Sequence, residues 1–188
     1  SDAEQANALA KRVKKYFPGK DVSVFNKLQT EWIQTLVSNI QPSRAGHKVT
    51  VLCLIDSFSM EVPFSIVEKL SALGFSFLIP FTFALNDRVS CQSYCREQPD
   101  LVMKYVGVGN LDRLLSTESN LHFYRKVVRM YQTNMLVMGL NAALSMHQLD
   151  SKLMELPVFQ IGFFSKELSA QAIQQDVNVN EHLQFRLF

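Results

Sequence analysis

The sequence predicts an α/β fold behind a helical arm, on three observations. The run V-T-V-L-C-L-I at 49–55 is short and almost continuously aliphatic, and F-S-F-L-I-P-F-T-F-A-L at 75–85 is a second apolar run. Between them, residues 62–73 carry helical patterning that stops at Gly74, so strand, helix and strand follow one another at the spacing of one βαβ unit. Residues 1–44, by contrast, carry helical patterning alone. A chain of 188 residues that is 47% hydrophobic can bury a core of domain size, and its seven Gly and six Pro exclude collagen-like or low-complexity character.

In chain order, residues 3–17 predict a first helix, with Ala6, Leu9, Ala10, Val13 and Phe17 at helical spacing and Pro18-Gly19 as its stop. Residues 24–41 predict a second, with Phe25, Leu28, Trp32, Leu36, Val37 and Ile40 on one face and Pro42 at its end. The turn-rich stretch Q-P-S-R-A-G-H-K at 41–48 separates the arm, 1–44, from the α/β domain, 45–188.

In that domain, the apolarity of 49–55 suits a central strand buried on both faces. Asp56 to Ser59 turn the chain into the helix at 62–73, and 75–85 returns as a second strand, parallel to the first through a right-handed crossover. Pro80 marks an edge, a bulge or a strand end. Residues 86–100 read as a polar loop, 101–106 as a short strand, Gly107-Val108-Gly109 as a turn and 111–116 as a short helix. A long helix capped by Asn120 is predicted over 120–148, a strand over 156–164, a helix over 166–175 and a last strand over the alternating tail 181–188.

Most catalytic constellations are missing. His47, His122, His147 and His182 have no second His or Cys at metal-ligand spacing, so no metal site and no cofactor is predicted. Gly107-Val108-Gly109 lacks the third glycine of a dinucleotide fingerprint, and neither a phosphate-cradling G-x-x-x-x-G-K-[ST] nor a G-x-S-x-G elbow occurs. The formal charge of +2 does not call for nucleic acid. The basic sets Lys11, Arg12, Lys14, Lys15, Lys20 and Arg125, Lys126, Arg129 read as solvated helix faces without aromatic stacking partners. Met130, Met135, Met138 and Met146 read as core packing.

No apolar run reaches the roughly 18 residues of a membrane span; Met135 to Leu144 is interrupted by Gly139 and Asn141. The chain opens Ser-Asp-Ala-Glu-Gln without a basic-then-apolar leader, from which no compartment follows. Asp56 stands at the carboxyl end of a strand, where α/β folds place ligands, or else caps the following turn. Cys91 and Cys95 stand with three residues between them in a polar stretch, as a disulfide or as two free thiols, while Cys53 reads as a buried, inert thiol.

Two of these segments together resemble a thioredoxin-type fold. V-L-C-L-I-D-S-F-S-M-E-V-P-F at 51–64 is similar to the strand, turn and helix that carry that family's dithiol; here the matching positions are Ser59, Met60, Glu61 and Val62, without cysteine. Leu156-Pro157-Val158-Phe159-Gln160-Ile161 resembles the segment where the family sets a cis-proline before a strand. The helical stretch at 111–148 is similar to the insertion of periplasmic disulfide oxidoreductases. Within that superfamily, Ser57-Phe58-Ser59-Met60 resembles the TrbC pilus-assembly family of F-type conjugal transfer systems, from which Pro63 departs by its later position.

The resemblance implies a thioredoxin-like sheet with a helical insertion. It also implies a groove for extended polypeptide at Ser57, Ser59, Met60, Val62, Leu156 and Pro157, with no catalytic residue. The function expected on this basis is a non-catalytic protein-binding or assembly component, periplasmic, of a bacterial envelope conjugation or secretion system; failing the resemblance, a cytoplasmic protein. Helix 24–41, with Phe25 and Trp32 as anchors, would dock a protein partner or form a homo-oligomer. Two alternatives stand beside it. One is a thiol–disulfide oxidoreductase or isomerase using Cys91 and Cys95; the other is a regulatory α/β domain with a ligand near Asp56.

Overall fold

The structure is a computed structural model that describes residues 2–20, 22, 24, 38, 49–58, 60–85, 89–115, 119–148 and 158–167. It divides into two units, Ser1–Val49 and Thr50–Phe188. In the first, α1 (Asp2–Tyr16) forms where Ala, Glu and Lys favour helix, and it closes with Phe17 N–H on the Val13 carbonyl at 2.9 Å, just before Pro18-Gly19. Residues 25–37, with Phe25 and Trp32, lie outside the described residues.

The second unit is a mixed α/β domain. Strand β1 (Leu52–Leu54) pairs in parallel with β2 (Ser76–Pro80) in the register Leu52↔Ser76, Cys53↔Phe77 and Leu54↔Leu78, with α2 (Phe64–Ala72) between them in sequence. The chain continues through α3 (Cys91–Arg96), α4 (Pro99–Val106), α5 (Asp112–Leu115) and α6 (Asn120–Val137). It then forms the antiparallel hairpin of β3 (Asn141–Gln148) and β4 (Val158–Ser165), with β4 also antiparallel to β2. The sheet order is β1-β2-β4-β3.

Residues level across a ladder share a face. Cys53, Phe77, Phe164 and Ala142 therefore lie on one side, with Ile79, Gly162 and Leu144. Phe77, Ile79 and Phe164 are fully buried there, against the helices. Phe81, Phe83 and Leu85 continue the alternation beyond β2 and are also fully buried. The aromatic core gathers around Tyr131 of α6, whose ring meets Phe64 edge-on at 5.1 Å, Phe81 edge-on at 5.4 Å and Tyr105 at 5.1 Å. Phe83 lies 5.2 Å from Tyr124, and Tyr94 stacks on Phe123 at 5.7 Å.

Four expectations are corrected. The 49–55 run is no central strand buried on both faces: among the described residues β1 is an edge strand, and Leu52 and Leu54 on its outer face are exposed. The polar stretch 86–100 contains a helix, α3, because Ser90 caps it by accepting from Ser93 N–H at 3.3 Å. The expected strand at 101–106 is helix α4: Pro99 opens it, Gly107 closes it at φ 78, and Val102, Tyr105 and Val106 are buried at helical spacing.

The long helix predicted to reach 148 ends at Val137. Gly139 adopts φ 78 and donates to the Leu136 carbonyl at 2.9 Å, while Leu140 N–H reaches back to Met135 at 3.1 Å, a Schellman closure. Residues 141–148 then find eight partners on β4, and that ladder overrides the helical preference of Ala, Leu and Met. The predicted elements at 166–175 and 181–188 lie almost wholly outside the described residues; Lys166 and Glu167 form a bend.

Candidate functional site

The turn from β1 to α2 is built by its own backbone. Asp56 Oδ1 accepts from Phe58 N–H at 3.0 Å, and the Ser57 carbonyl accepts from Met60 N–H at 3.2 Å. Asp56 thus caps the turn. Met60 sits at φ 54, a left-handed conformation that costs an ordinary side chain about 1–2 kcal/mol. Burial holds it there, since Met60 is 1% exposed. Pro63 fixes the start of α2 at φ −70.

Of the six expected groove residues, Ser57, Met60 and Val62 are described, while Ser59, Leu156 and Pro157 lie outside the described residues. Ser57 and Met60 are buried and Val62 is half-buried, so Ser57 and Met60 anchor the turn from below. The turn presents Phe58 to solvent at 41% exposure. In the strand just before the turn, Leu52 and Leu54 are 55% and 67% exposed, an exposure that the aliphatic pattern of the run does not reveal. The ladder places the end of β1 and the start of β4 at the same end of the sheet, with Phe81 N–H on the Gln160 carbonyl at 2.8 Å and β2 between them.

Three hydroxyls collect beneath the turn. Ser57 Oγ and the Tyr105 hydroxyl face each other, and the Tyr131 hydroxyl lies near Tyr105. None of the three completes a hydrogen bond of good geometry, although Ser57, Tyr105 and Tyr131 are all fully buried. Burial pushes both phenols well above their ordinary range. Tyr124 is pushed up to about 12 by burial, although its hydroxyl accepts from Gln160 N–H at 2.6 Å.

All three cysteines are free thiols. Cys91 and Cys95 lie on consecutive turns of α3, with side chains projecting side by side rather than toward each other. Cys91 is buried and its N–H is held by Asn120 Oδ1 at 2.8 Å; Cys95 lies 3.9 Å from the Leu114 carbonyl. Burial, with Cys91 adding, pushes the Cys95 thiol up, and burial does the same to Cys53. A raised thiol is the opposite of what a dithiol exchanger needs. Among the described residues no cluster of metal-ligating side chains occurs, and no helix is long and apolar enough to cross a membrane. Against known protein families, curated proteins and solved structures, the chain finds no match.

Proposed function

We propose that the chain is a non-catalytic protein-binding component whose docking element is the β1–α2 turn and the outer face of β1. One observation carries this: Leu52, Leu54 and Phe58 are large apolar side chains held exposed on one short stretch, on a backbone fixed by the Asp56 cap and the buried Met60. Exposed apolar side chains on a rigid support are what a partner desolvates, and pre-ordering lowers the entropic cost of capture. The likeness of Ser57-Phe58-Ser59-Met60 to the conjugal-transfer family supports a partner within a bacterial envelope conjugation or secretion system, with the periplasm as compartment. The raised Cys95 thiol disfavours the oxidoreductase alternative.

The test selects ligands from a random peptide library on the intact chain, then measures their affinity for the double variant Leu54→Asp/Phe58→Ala. Both side chains are exposed, so the variant keeps its near-UV circular dichroism. Loss of about tenfold or more in affinity supports the proposal, since an anchor residue is worth about 1.4 kcal/mol or more. Selected ligands that bind both proteins equally, or no enrichment at all, overturn it.

A further inference from the structure

A second surface, independent of the β1–α2 turn, lies at the opposite edge of the sheet. Among the described residues β3 is the terminal strand there, eight residues long, and its sequence N-A-A-L-S-M-H-Q contains no charged residue and no proline. Proteins normally blunt an edge of this length with a lysine, a proline, a bulge or a short strand, because unpaired N–H and C=O groups recruit another strand. The other edge, β1, is only three residues long. Along β3, the ladder from Asn141↔Ser165 to Gln148↔Val158 matches one side to β4, and over 142–148 no strand among the described residues lies beyond it.

Helix α6 turns back over this edge. Its Arg125, Val128, Arg129 and Gln132 enclose, with Leu144 of β3 and Gln160 of β4, a surface cavity of about 370 Å³. A second depression, of about 450 Å³, shares both arginines and adds His122 and Lys126. Arg125 and Arg129 are exposed, and no ion pair ties either to a carboxylate among the described residues. The local charge has one sign: α6, β3 and β4 contain Arg125, Lys126 and Arg129, and no Asp or Glu.

We infer that the outer edge of β3 over 142–148, unpaired among the described residues, and the arginine shelf of α6 form a docking site for an extended acidic segment of a partner protein, added to the sheet as a further strand. Spacing supports this occupant. Arginines four apart on a helix stand about 6 Å apart, close to the roughly 6.6 Å between alternate residues of a strand. Carboxylates at alternate positions of the added strand would meet Arg125 and Arg129 in turn, while its backbone pairs with β3. A second copy fits poorly, because β3-to-β3 pairing about a two-fold axis would set the two basic helices side by side. Nucleic acid fits poorly too: Phe123, Tyr124 and Tyr131 of α6 are buried, leaving no stacking platform.

The test measures fluorescence anisotropy of the intact chain with a labelled octapeptide of alternating valine and glutamate. Its valine–lysine counterpart and a form N-methylated along one backbone edge serve as comparisons. The expected result is binding of the glutamate peptide alone, weakened about tenfold or more by Arg125→Glu/Arg129→Glu and weakened by raising salt from about 50 to about 300 mM. Both arginines are exposed, so far-UV circular dichroism should confirm an intact fold; the N-methylated peptide tests strand pairing on the unaltered chain.

Leu54→Asp/Phe58→Ala should leave this binding unchanged, which separates it from the turn. No binding at about 1 mM, equal binding of the lysine or N-methylated peptide, or stronger competition by a single-stranded oligonucleotide overturns the proposal. So does binding that appears only after residues 168–188 are removed, which would make the chain's own tail the occupant. A dimer in sedimentation that the arginine variant abolishes likewise overturns it.

Discussion

Gly107 and Phe64 touch where two helices meet. A Cβ placed on Gly107 would lie 2.7 Å from Phe64 Cδ1 and 2.9 Å from its Cβ. Gly107 also holds φ 78 to close α4, donating to the Met103 carbonyl at 2.8 Å. Asn134 of α6 donates to the Val106 carbonyl at 2.7 Å, so α2, α4 and α6 converge on this point. Phe64 in turn packs edge-on against Tyr131.

Gly107→Ala is therefore expected to destabilise the fold by about 2–4 kcal/mol, summing the left-handed backbone cost and overpacking against a ring base that cannot swing away. Gly109→Ala is the control, since an added Cβ there meets nothing and its φ is not left-handed; it should change stability by less than about 0.5 kcal/mol. Urea titration of both variants is the measurement, and equal midpoints would contradict this packing.

Tyrosine hydroxyls in one core should respond in opposite ways to removal. Tyr124 OH accepts the Gln160 N–H at 2.6 Å, at the level where β2 has ended. Tyr124→Phe leaves that amide without its partner and should cost about 1–3 kcal/mol. Tyr131 OH is buried without a hydrogen bond, so Tyr131→Phe removes an uncompensated polar group and should be neutral or stabilising by up to about 1 kcal/mol. Chemical denaturation of the two variants checks the contrast; a larger loss at Tyr131 than at Tyr124 would reverse the assignment.

The parallel pairing of β1 and β2 was legible because two aliphatic runs flank a helix with a glycine stop. What was not legible depended on partners distant in sequence. Residues 141–148 are helix formers by composition, and only β4 makes them a strand. The local warning is Gly139, which interrupts the apolar run and ends α6. In α4, L-V-M-K-Y-V favours a strand by composition, yet Pro99 and Gly107 bracket a helix, and those two residues were the better signal. At the candidate site, Asp56 as a turn cap was legible from residue type. The burial of Ser57 and Met60 and the exposure of Leu54 were not, because which face of a short strand meets the core is decided by the helices opposite.

Free thiols predict a specific labelling pattern. Alkylation in denaturant without reductant should modify all three cysteines, read as three adducts by mass spectrometry. In the native state Cys91 should react slowest because it is buried. Cys95, with its thiol pushed up, should react more slowly at neutral pH than a model thiol. Insulin reduction by the chain should not exceed that of Cys91→Ser. Two cysteines protected until reductant is added would instead show a bridge, and cysteine-dependent turnover would restore the oxidoreductase alternative.

Alkaline pH should unfold the domain early. Tyr105 and Tyr131 are pushed well above the ordinary tyrosine value near 10, and Tyr124 to about 12, each chiefly by burial of the hydroxyl. In the unfolded chain these phenols ionise near 10, so above that pH the unfolded state binds fewer protons than the folded state. Stability must then fall as pH rises. Below 10 both states are protonated and the contribution is constant; the loss develops from 10 upward and for Tyr124 levels off beyond about 12. At pH 11, one unit above the unfolded value, each tyrosine accounts for about 1.4 kcal/mol. Urea midpoints at pH 8, 9.5 and about 11 should stay level across the first pair and drop sharply at the third. Tyr131→Phe should shrink the drop by one tyrosine's share while leaving the pH 8 midpoint level or raised. A midpoint that holds constant to pH 11, or an undiminished drop in Tyr131→Phe, would mean that these hydroxyls are already exposed to water.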